Sequence, residues 1–434
     1  MTDGYLVSLM IGALFVLIVL GVPLAFATGF IATVFGVVLF GDMALWILSS
    51  RTYGLMNEFT LLAVPMFVFM ATMMEKAGIG EDLFRAMNMW GRRLPGGLAV
   101  QTLVVAVILA SMSGIIGGEI VLLGLIALPQ MLKLGYDKKL AIGTVVAGGS
   151  LGTMIPPSIV LVFYGLTANV SIADLFSGVI VPGLILAGSY VSYIVIRALM
   201  NPQIAPKPEF PETCEPIGWR ERFNLILPLF IAFCVLGSIY GGIASVTEAA
   251  AFGAVGTIFA AWVRGNLSWD MLIGSGLTTF TTSGILFWVT FGANALVGVF
   301  TFMNGQSVVT SFFTEDLQLT PLQTIIVINI VLIFLGMFLD WIGILLLTVP
   351  IFLPLVVSLG YDPIWFGVIF CLNMQISYLT PPLAPAAVYL KSVAPEGVSL
   401  LDIFSASWPF IIIQAINLTI MVLNPQLILW LPNM

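Results

Sequence analysis

Two prolines stand side by side within GSLGTMIPPSIVLV (Gly149 to Val162), and again within MQISYLTPPLAPAAV (Met374 to Val388). Proline lacks the backbone donor and clashes with the preceding turn, so no α-helix runs unbroken through either pair. Both pairs interrupt long apolar runs. The chain is 60% hydrophobic and 8% charged, with mean hydropathy +1.13, whereas soluble domains are about half apolar and about a quarter charged. Many of its apolar runs are long enough to span a bilayer. The fold class that follows is an all-α polytopic membrane protein; a β-barrel would show short alternating segments instead. At membrane depth, broken backbone is tolerated only where protein buries it or it lines a cavity. Two such breaks therefore mark places where the chain does something.

The breaks belong to a repeat. Pro156-Pro157 and Pro381-Pro382 lie 225 residues apart, as do Gly135-Tyr136-Asp137 and Gly360-Tyr361-Asp362, and Pro129 and Pro354. Further on the register drifts slightly: Asp174-Leu175-Phe176 answers Asp402-Ile403-Phe404, and Pro182 answers Pro409. The expected division is a first repeat over 1–200, a linker over 201–220 and a second repeat over 221–434. The polar stretch MNPQIAPKPEFPETCEPIGWRER joins them. Each repeat holds a hairpin (95–132 and 321–358) followed by a broken helix (140–168 and 364–391). The remaining spans are expected near 5–21, 24–40, 59–77, 174–197, 223–244, 246–263, 281–302 and 404–430. The runs 41–58 and 265–280 mix Trp, Ser, charge and aliphatics, and read either as interfacial helices lying along the membrane surface or as plain loops.

Basic residues orient the two halves. If each hairpin enters and leaves on one side, Arg92 and Arg93 flank one end of the first and Lys133, Lys138 and Lys139 the other. The positive-inside rule makes both ends cytoplasmic. Threading outward puts Lys76, Arg85, Arg197, Lys207, Arg220, Arg222, Arg264 and Lys391 on the same side and only Arg51 opposite. Both termini are then periplasmic. The second hairpin is flanked by Glu315, Asp316 and Asp362, and no Lys or Arg occurs between Arg264 and Lys391. It therefore opens outward, and the halves have opposite orientation, the inverted repeat of a secondary transporter.

Several function classes fall away. With no histidine, the chain has no His-based metal site, proton relay or Ser-His-Asp triad. It has no P-loop sequence. No feature points to nucleic acid, and no basic n-region or small-residue cleavage pattern opens the chain. Cys214, Cys234 and Cys371 are scattered without metal or redox spacing. An intramembrane enzyme would need a nucleophile–base pair or metal set. A channel would not need two opposed hairpins.

The chemistry concentrates at the tips and breaks. The hairpin tips read SMSGIIGGE (Ser111 to Glu119) and GMFLDWIGIL (Gly336 to Leu345). Glycine permits the tight turn, freed carbonyls ligate a cation such as Na⁺, and half-helix N-termini face an anion. Thr153 and Ser158 flank the first Pro pair, and Ser377 and Thr380 precede the second; hydroxyls supply hard oxygen ligands or bond back to their own helix. Glu119 and Asp340 are the candidate coupling acids, as cation ligands or proton carriers, with capping of the tip N–H groups as the alternative. Glu248 reads as a helix cap. The run Thr279–Asn294 either lines a substrate path or packs helices through small residues.

Together, SGIIGGE, ALPQMLKLGYDKKLAIG, LGTMIPPSIVLVFYG, SIADLFSGVIVPG, VTEAAAFGA, GMFLDWIGILLLTVPIFLPL and YLTPPLAP resemble the large membrane subunit of TRAP (tripartite ATP-independent periplasmic) transporters, over essentially the whole chain. The resemblance implies an elevator-type carrier in the bacterial inner membrane, with a scaffold and a moving transport domain. It implies Na⁺-coupled uptake of a small organic acid, with Na⁺ as coupling ion and no other cofactor. The implied partners are a small four-helix membrane subunit and a periplasmic substrate-binding protein. Its sodium sites lie between each tip and the following broken helix. Here that means Ser111, Ser113, Gly114, Gly117, Gly149, Gly152, Thr153 and Pro156 for the first site. For the second it means Gly336, Asp340, Gly343, Ser377, Thr380 and Pro381. The implied substrate contacts are Pro157, Ser158, Thr282, Asn294 and Pro382. Many members read Ser-Gly-Ser-Ser-x-Ala-Asp at the first tip; here Ile115, Ile116 and Glu119 depart from that, which leaves backbone carbonyls to serve there. The variant tip looks like the subgroup linked to 2-oxo acids and other monocarboxylates. A stand-alone Na⁺- or H⁺-coupled carboxylate carrier is the competing reading.

Overall fold

The computed structural model describes residues 2–91, 94, 96–114, 117–206 and 219–434. Arg92, Arg93, Ile115, Ile116, Lys207 and Cys214 lie outside those residues. Helices make up nearly all of the described chain. In the first half they are α1 (Thr2–Val19), α2 (Leu24–Phe40), α3 (Met43–Met56), α4 (Ala63–Lys76) and α5 (Ile79–Gly91). Then come α6 (Gly97–Ser113), α7 (Gly118–Lys133), α8 (Lys138–Ser150), α9 (Ile159–Ala168) and α10 (Ile172–Met200). The second half holds α11 (Trp219–Tyr240), α12 (Val246–Val263), α13 (Trp269–Phe302), α14 (Gly305–Ser311) and α15 (Pro321–Gly336). It continues with α16 (Trp341–Ser358), α17 (Pro363–Leu379), α18 (Pro385–Val393), α19 (Leu400–Leu423) and α20 (Gln426–Leu429).

Among the described residues, six helical segments are both long and apolar enough to cross a membrane: Phe59–Lys76, Ile172–Met200, Val246–Val263, Trp269–Phe302, Trp341–Ser358 and Leu400–Leu423. Large apolar side chains also point outward. Ile243 is 83% exposed, Phe280 80% and Leu401 78%. In water such a surface would associate; against lipid tails it is matched, so the exposed rings and aliphatics mark the lipid-facing rim.

The helix ends follow from local chemistry. Ser245 caps α12: its hydroxyl accepts from the Glu248 N–H (3.3 Å), and the Glu248 carboxylate accepts from the Ser245 N–H (2.8 Å). Ser399 and Asp402 form the same reciprocal cap on α19, and Thr320 and Gln323 on α15. Glu248 therefore caps, as its place in the sequence suggested. One expected element is corrected. The run 265–280 is not a surface helix of its own: from Trp269 onward it is about the first third of α13, which continues unbroken to Phe302. Ser268 caps its start (3.1 Å to the Met271 N–H) and no proline interrupts it, so nothing ends the helix near residue 280.

Two hairpins and two broken helices form the centre. The first-turn N–H of Leu98 in α6 donates to the Tyr136 hydroxyl just past α7 (3.3 Å), so both ends of the α6–α7 hairpin lie together. α8 ends at Ser150, one 3-10 turn covers Leu151–Thr153, and α9 starts after the Pro pair; α17 ends at Leu379 and α18 starts at Pro385. Both Pro-Pro bonds are cis. Across the halves, α4 packs on α12 and α13 on α2. Likewise α8 packs on α19 and α17 on α10, α7 on α18 and α16 on α9.

Candidate functional site

The two hairpin tips meet at one cavity of about 500 Å³. The first tip contributes Gly114, Gly118 and Glu119, the second Asp340 and Trp341. The remaining wall comes from Thr72 and Glu75 of α4, Ile159 and Val160 at the start of α9, Thr278 and Thr282 of α13, Tyr378 of α17 and Tyr389 of α18.

The first tip turns at Gly114, whose φ of +57° is left-handed. No other residue fits there: a Cβ would overlap the Pro157 carbonyl oxygen. That contact seats the tip on the first break, and the Ile159 N–H donates to the Gly114 carbonyl (3.4 Å). Gly149 lies against the backbone of Ile120, where a Cβ would come within 2.9 Å of the Ile120 nitrogen. Gly152 faces the Glu119 carboxylate, with Oε1 3.0 Å from its Cβ position. Glu119 is 3% exposed. Tip, first-turn acid and broken helix are thus one packed unit.

The expected hydroxyl ligands have local partners. Ser111 Oγ donates to the Ile108 carbonyl (2.7 Å), Ser158 Oγ to the Thr153 carbonyl (3.0 Å) and Thr380 Oγ1 to the Ile376 carbonyl (2.6 Å). Each oxygen keeps lone pairs for a further partner. Ser377 differs: its hydroxyl is buried with no hydrogen-bond partner among the described residues, and it lies directly against Gly336. Ser113 ends α6 and Gly117 precedes α7, its Cα facing the Tyr389 ring.

Of the expected substrate contacts, Thr282 lines the cavity. Pro157 and Ser158 sit behind it under the first tip, both buried. Pro382 is exposed and not in the wall. Asn294 stands elsewhere: its amide donates to the Arg51 carbonyl of α3 (2.9 Å), beside a second cavity of about 530 Å³. Gly343 packs on Leu24 of α2 rather than on the Ser377–Pro381 break. Pro156 and Pro381 form the breaks themselves.

The sequence reading singled out neither Thr72 and Thr278 nor three more telling wall residues, Glu75, Tyr378 and Tyr389. Glu75 places Oε2 3.6 Å from the Cβ position of Gly118, at the start of α7. Beside Lys76 at the end of a span, it resembles an ordinary surface charge. Tyr378 and Tyr389 stack, with ring centroids 6.4 Å apart and planes 25° from parallel. The Tyr378 hydroxyl is buried and has no hydrogen-bond partner among the described residues. Tyr378 lies inside the SYLTPP motif, where a reading for oxygen ligands stops at Ser377 and Thr380. Among the described residues, three carboxylates and no Lys or Arg line this cavity. Like charges in a low-dielectric space repel strongly, and a cation or proton among them relieves that repulsion.

The family described as "Tripartite ATP-independent periplasmic transporter, DctM component" matches residues 11–427. The chain is 31% identical over 403 residues to the C4-dicarboxylate TRAP transporter large permease protein DctM of Pseudomonas aeruginosa, covering 92% of each chain. It is 29% identical over 461 residues to the protein of the same name from Vibrio cholerae, covering 98% of each. Among solved structures, the YdaH transporter of Alcanivorax borkumensis superposes with a TM-score of 0.67 at 14% identity, over 94% of this chain and 97% of that one, which speaks for the fold alone. With the match running through both tips and both breaks, the chain belongs to the DctM family of TRAP transporter large permease subunits.

Proposed function

We propose that this subunit carries a small organic acid inward across the bacterial inner membrane, coupled to Na⁺, by an elevator movement of the hairpins and broken helices against α2, α4, α12 and α13. The observation that carries the reading is the shared cavity, where both tips converge among three carboxylates and, among the described residues, no basic side chain. An anionic substrate enters such a space only with cations or protons that outweigh the carboxylates. Its carboxylate would be held by backbone donors at the tips and by bound cations.

The reciprocal packing supports an inverted repeat. Exchanging the halves maps α4 on α12 to α13 on α2, α8 on α19 to α17 on α10, and α7 on α18 to α16 on α9. The bond network supports the orientation with both termini periplasmic. Lys138 and Lys391 are held by one loop, through the carbonyls of Gly397 and Val398 (2.8 Å each), which fits their common cytoplasmic assignment. Arg264 pairs with Asp82, and Asn266 Nδ2 donates to the Ala77 carbonyl (3.4 Å), beside Lys76. The cavity wall reaches Glu75 and Ile79 at that same end of α4.

Members of this family work with a small membrane subunit and a periplasmic binding protein; for this chain we propose the same two partners. Two relatives are named for C4-dicarboxylates, while the altered first tip favours a 2-oxo acid or other monocarboxylate here. The test is uptake into proteoliposomes holding this chain and its small partner, with a binding protein loaded with a labelled 2-oxo acid. Uptake should require an inward Na⁺ gradient and the binding protein. Uptake driven by a pH gradient alone would transfer the coupling to Glu119 and Asp340 as proton carriers. Uptake without the binding protein would favour the stand-alone carrier.

A further inference from the structure

Gln375 of α17 is fully buried, and its side chain reaches across to the other half of the molecule. Its amide nitrogen donates to the Ser150 carbonyl (2.6 Å) and to the Thr153 hydroxyl. The orientation of the amide is fixed by its partner: a carbonyl oxygen only accepts, so the nitrogen must face Ser150. Ser150 is where α8 ends, and Thr153 closes the 3-10 turn of the first break. Two residues beyond Gln375 stands Ser377, whose buried hydroxyl lacks a partner and lies against the second tip at Gly336.

Ser150 and Gln375 are 225 residues apart, the same offset that relates the two Pro pairs. They are counterparts in the repeat, and they touch. In an object with a pseudo-twofold axis, a position meets its own counterpart only on that axis. Near it, Asn417 Nδ2 donates to Ser189 Oγ (3.3 Å), one residue off the offset that relates Pro182 to Pro409. The two breaks therefore stand back to back, and Gln375 is the polar link between them.

We infer that Gln375 is a positioning residue that couples the two cation sites, so that filling one break orders the other. The inference rests on the Na⁺ reading above. A cation at the first break draws on carbonyls and the hydroxyl of Gly149–Thr153, and the same segment is held by Gln375. Any movement of that segment is passed to α17 and so to Ser377 and Thr380. Occupancy of one site then changes the affinity of the other, and by linkage the effect is mutual.

The test is direct binding of radiolabelled Na⁺ to the full-length chain in lipid nanodiscs, with choline balancing ionic strength. No transport substrate is needed. Wild type should bind with a Hill slope above one. Gln375→Leu keeps the bulk but loses both donors; Gln375→Asn keeps the amide but is one methylene too short. Both should bind the same number of Na⁺ ions with a slope near one and half-saturation raised fivefold or more. If one variant fails to fold, the other carries the test. A wild-type slope of one, or an unchanged slope in a folded variant that has merely lost thermal stability, overturns the inference and leaves Na⁺ coupling standing. No Na⁺ binding to wild type overturns both.

Discussion

Gly152 and Glu119 show how closely the first tip is built. A methyl group on Gly152 would stand 3.0 Å from Glu119 Oε1 and 3.3 Å from its carboxyl carbon. Glu119 would have to move, and it is almost fully buried. Gly152→Ala should therefore weaken Na⁺ activation of uptake at least as much as Glu119→Gln does; normal activation in Gly152→Ala would detach Glu119 from the cation. At the second break, Thr380→Ala removes a hydroxyl whose own hydrogen bond stays within its helix turn. Such a bond contributes about 1 kcal/mol net. Na⁺ activation should thus suffer more than thermal stability, and the same holds for Pro157→Ala under the first tip. Wild-type Na⁺ curves in both mutants would refute the assigned sites. At Gly336 the added methyl of Gly336→Ala would collide with Ser377. Overpacking of that kind costs about 1–3 kcal/mol, so this mutant should lose thermal stability as well as Na⁺ response.

Among the elements, α5 and α12 are joined by an ion pair that differs from its neighbours. The Arg264 side chain is 4% exposed and pairs with Asp82. One turn away, Arg85 and Glu81 are 75% and 54% exposed and 3.6 Å apart. Surface pairs contribute about 0–1 kcal/mol, and a pair with one partner buried contributes more; Asp82 keeps 33% exposure, so the loss stays below the roughly 3–5 kcal/mol of a fully buried pair. Asp82→Ala should lower the melting midpoint clearly, while Arg85→Ala leaves it nearly unchanged. Pairing Asp82→Ala with Arg264→Met should recover part of the loss, since no buried charge remains. The caps of α12, α15 and α19 were legible in the chain, because Ser or Thr followed three residues on by Glu, Gln or Asp is a local signal. The continuity of α13 was harder to read. The mix of Trp, Ser, charge and aliphatics over 265–280 suggested a segment apart from the span that follows, yet composition does not end a helix. Only a breaker or a cap does, and none occurs there.

For the whole molecule, the transport proposed above rests on one arrangement: the two hairpin tips meeting at one cavity, with α9, α17 and α18 beside them. Replacing Na⁺ by choline should abolish uptake with the binding protein and small partner still present. Collapsing the Na⁺ gradient with an ionophore should do the same at constant total Na⁺. Uptake that survives both would place the driving force elsewhere. The apolar rim, with residues such as Phe280 and Leu401 largely exposed, predicts that the chain stays monodisperse only in detergent or lipid.

The sequence by itself determined the class, an all-helical chain with runs of bilayer length. Apolar runs of bilayer length, two Pro pairs at one offset, and basic residues gathered around one hairpin are patterns a reader counts along the chain. They are legible because bilayer thickness, helix breaking and the placement of charge act locally. What only the tertiary structure decided is who meets whom. It set Glu75 and the Tyr378–Tyr389 pair in the cavity wall, and moved Asn294 and Gly343 away from it. It also brought Gln375 onto its own counterpart, Ser150. Such contacts join residues more than two hundred positions apart, fixed by how two halves interlock. No period or motif in a single chain encodes that packing, so it becomes visible only once the halves are assembled.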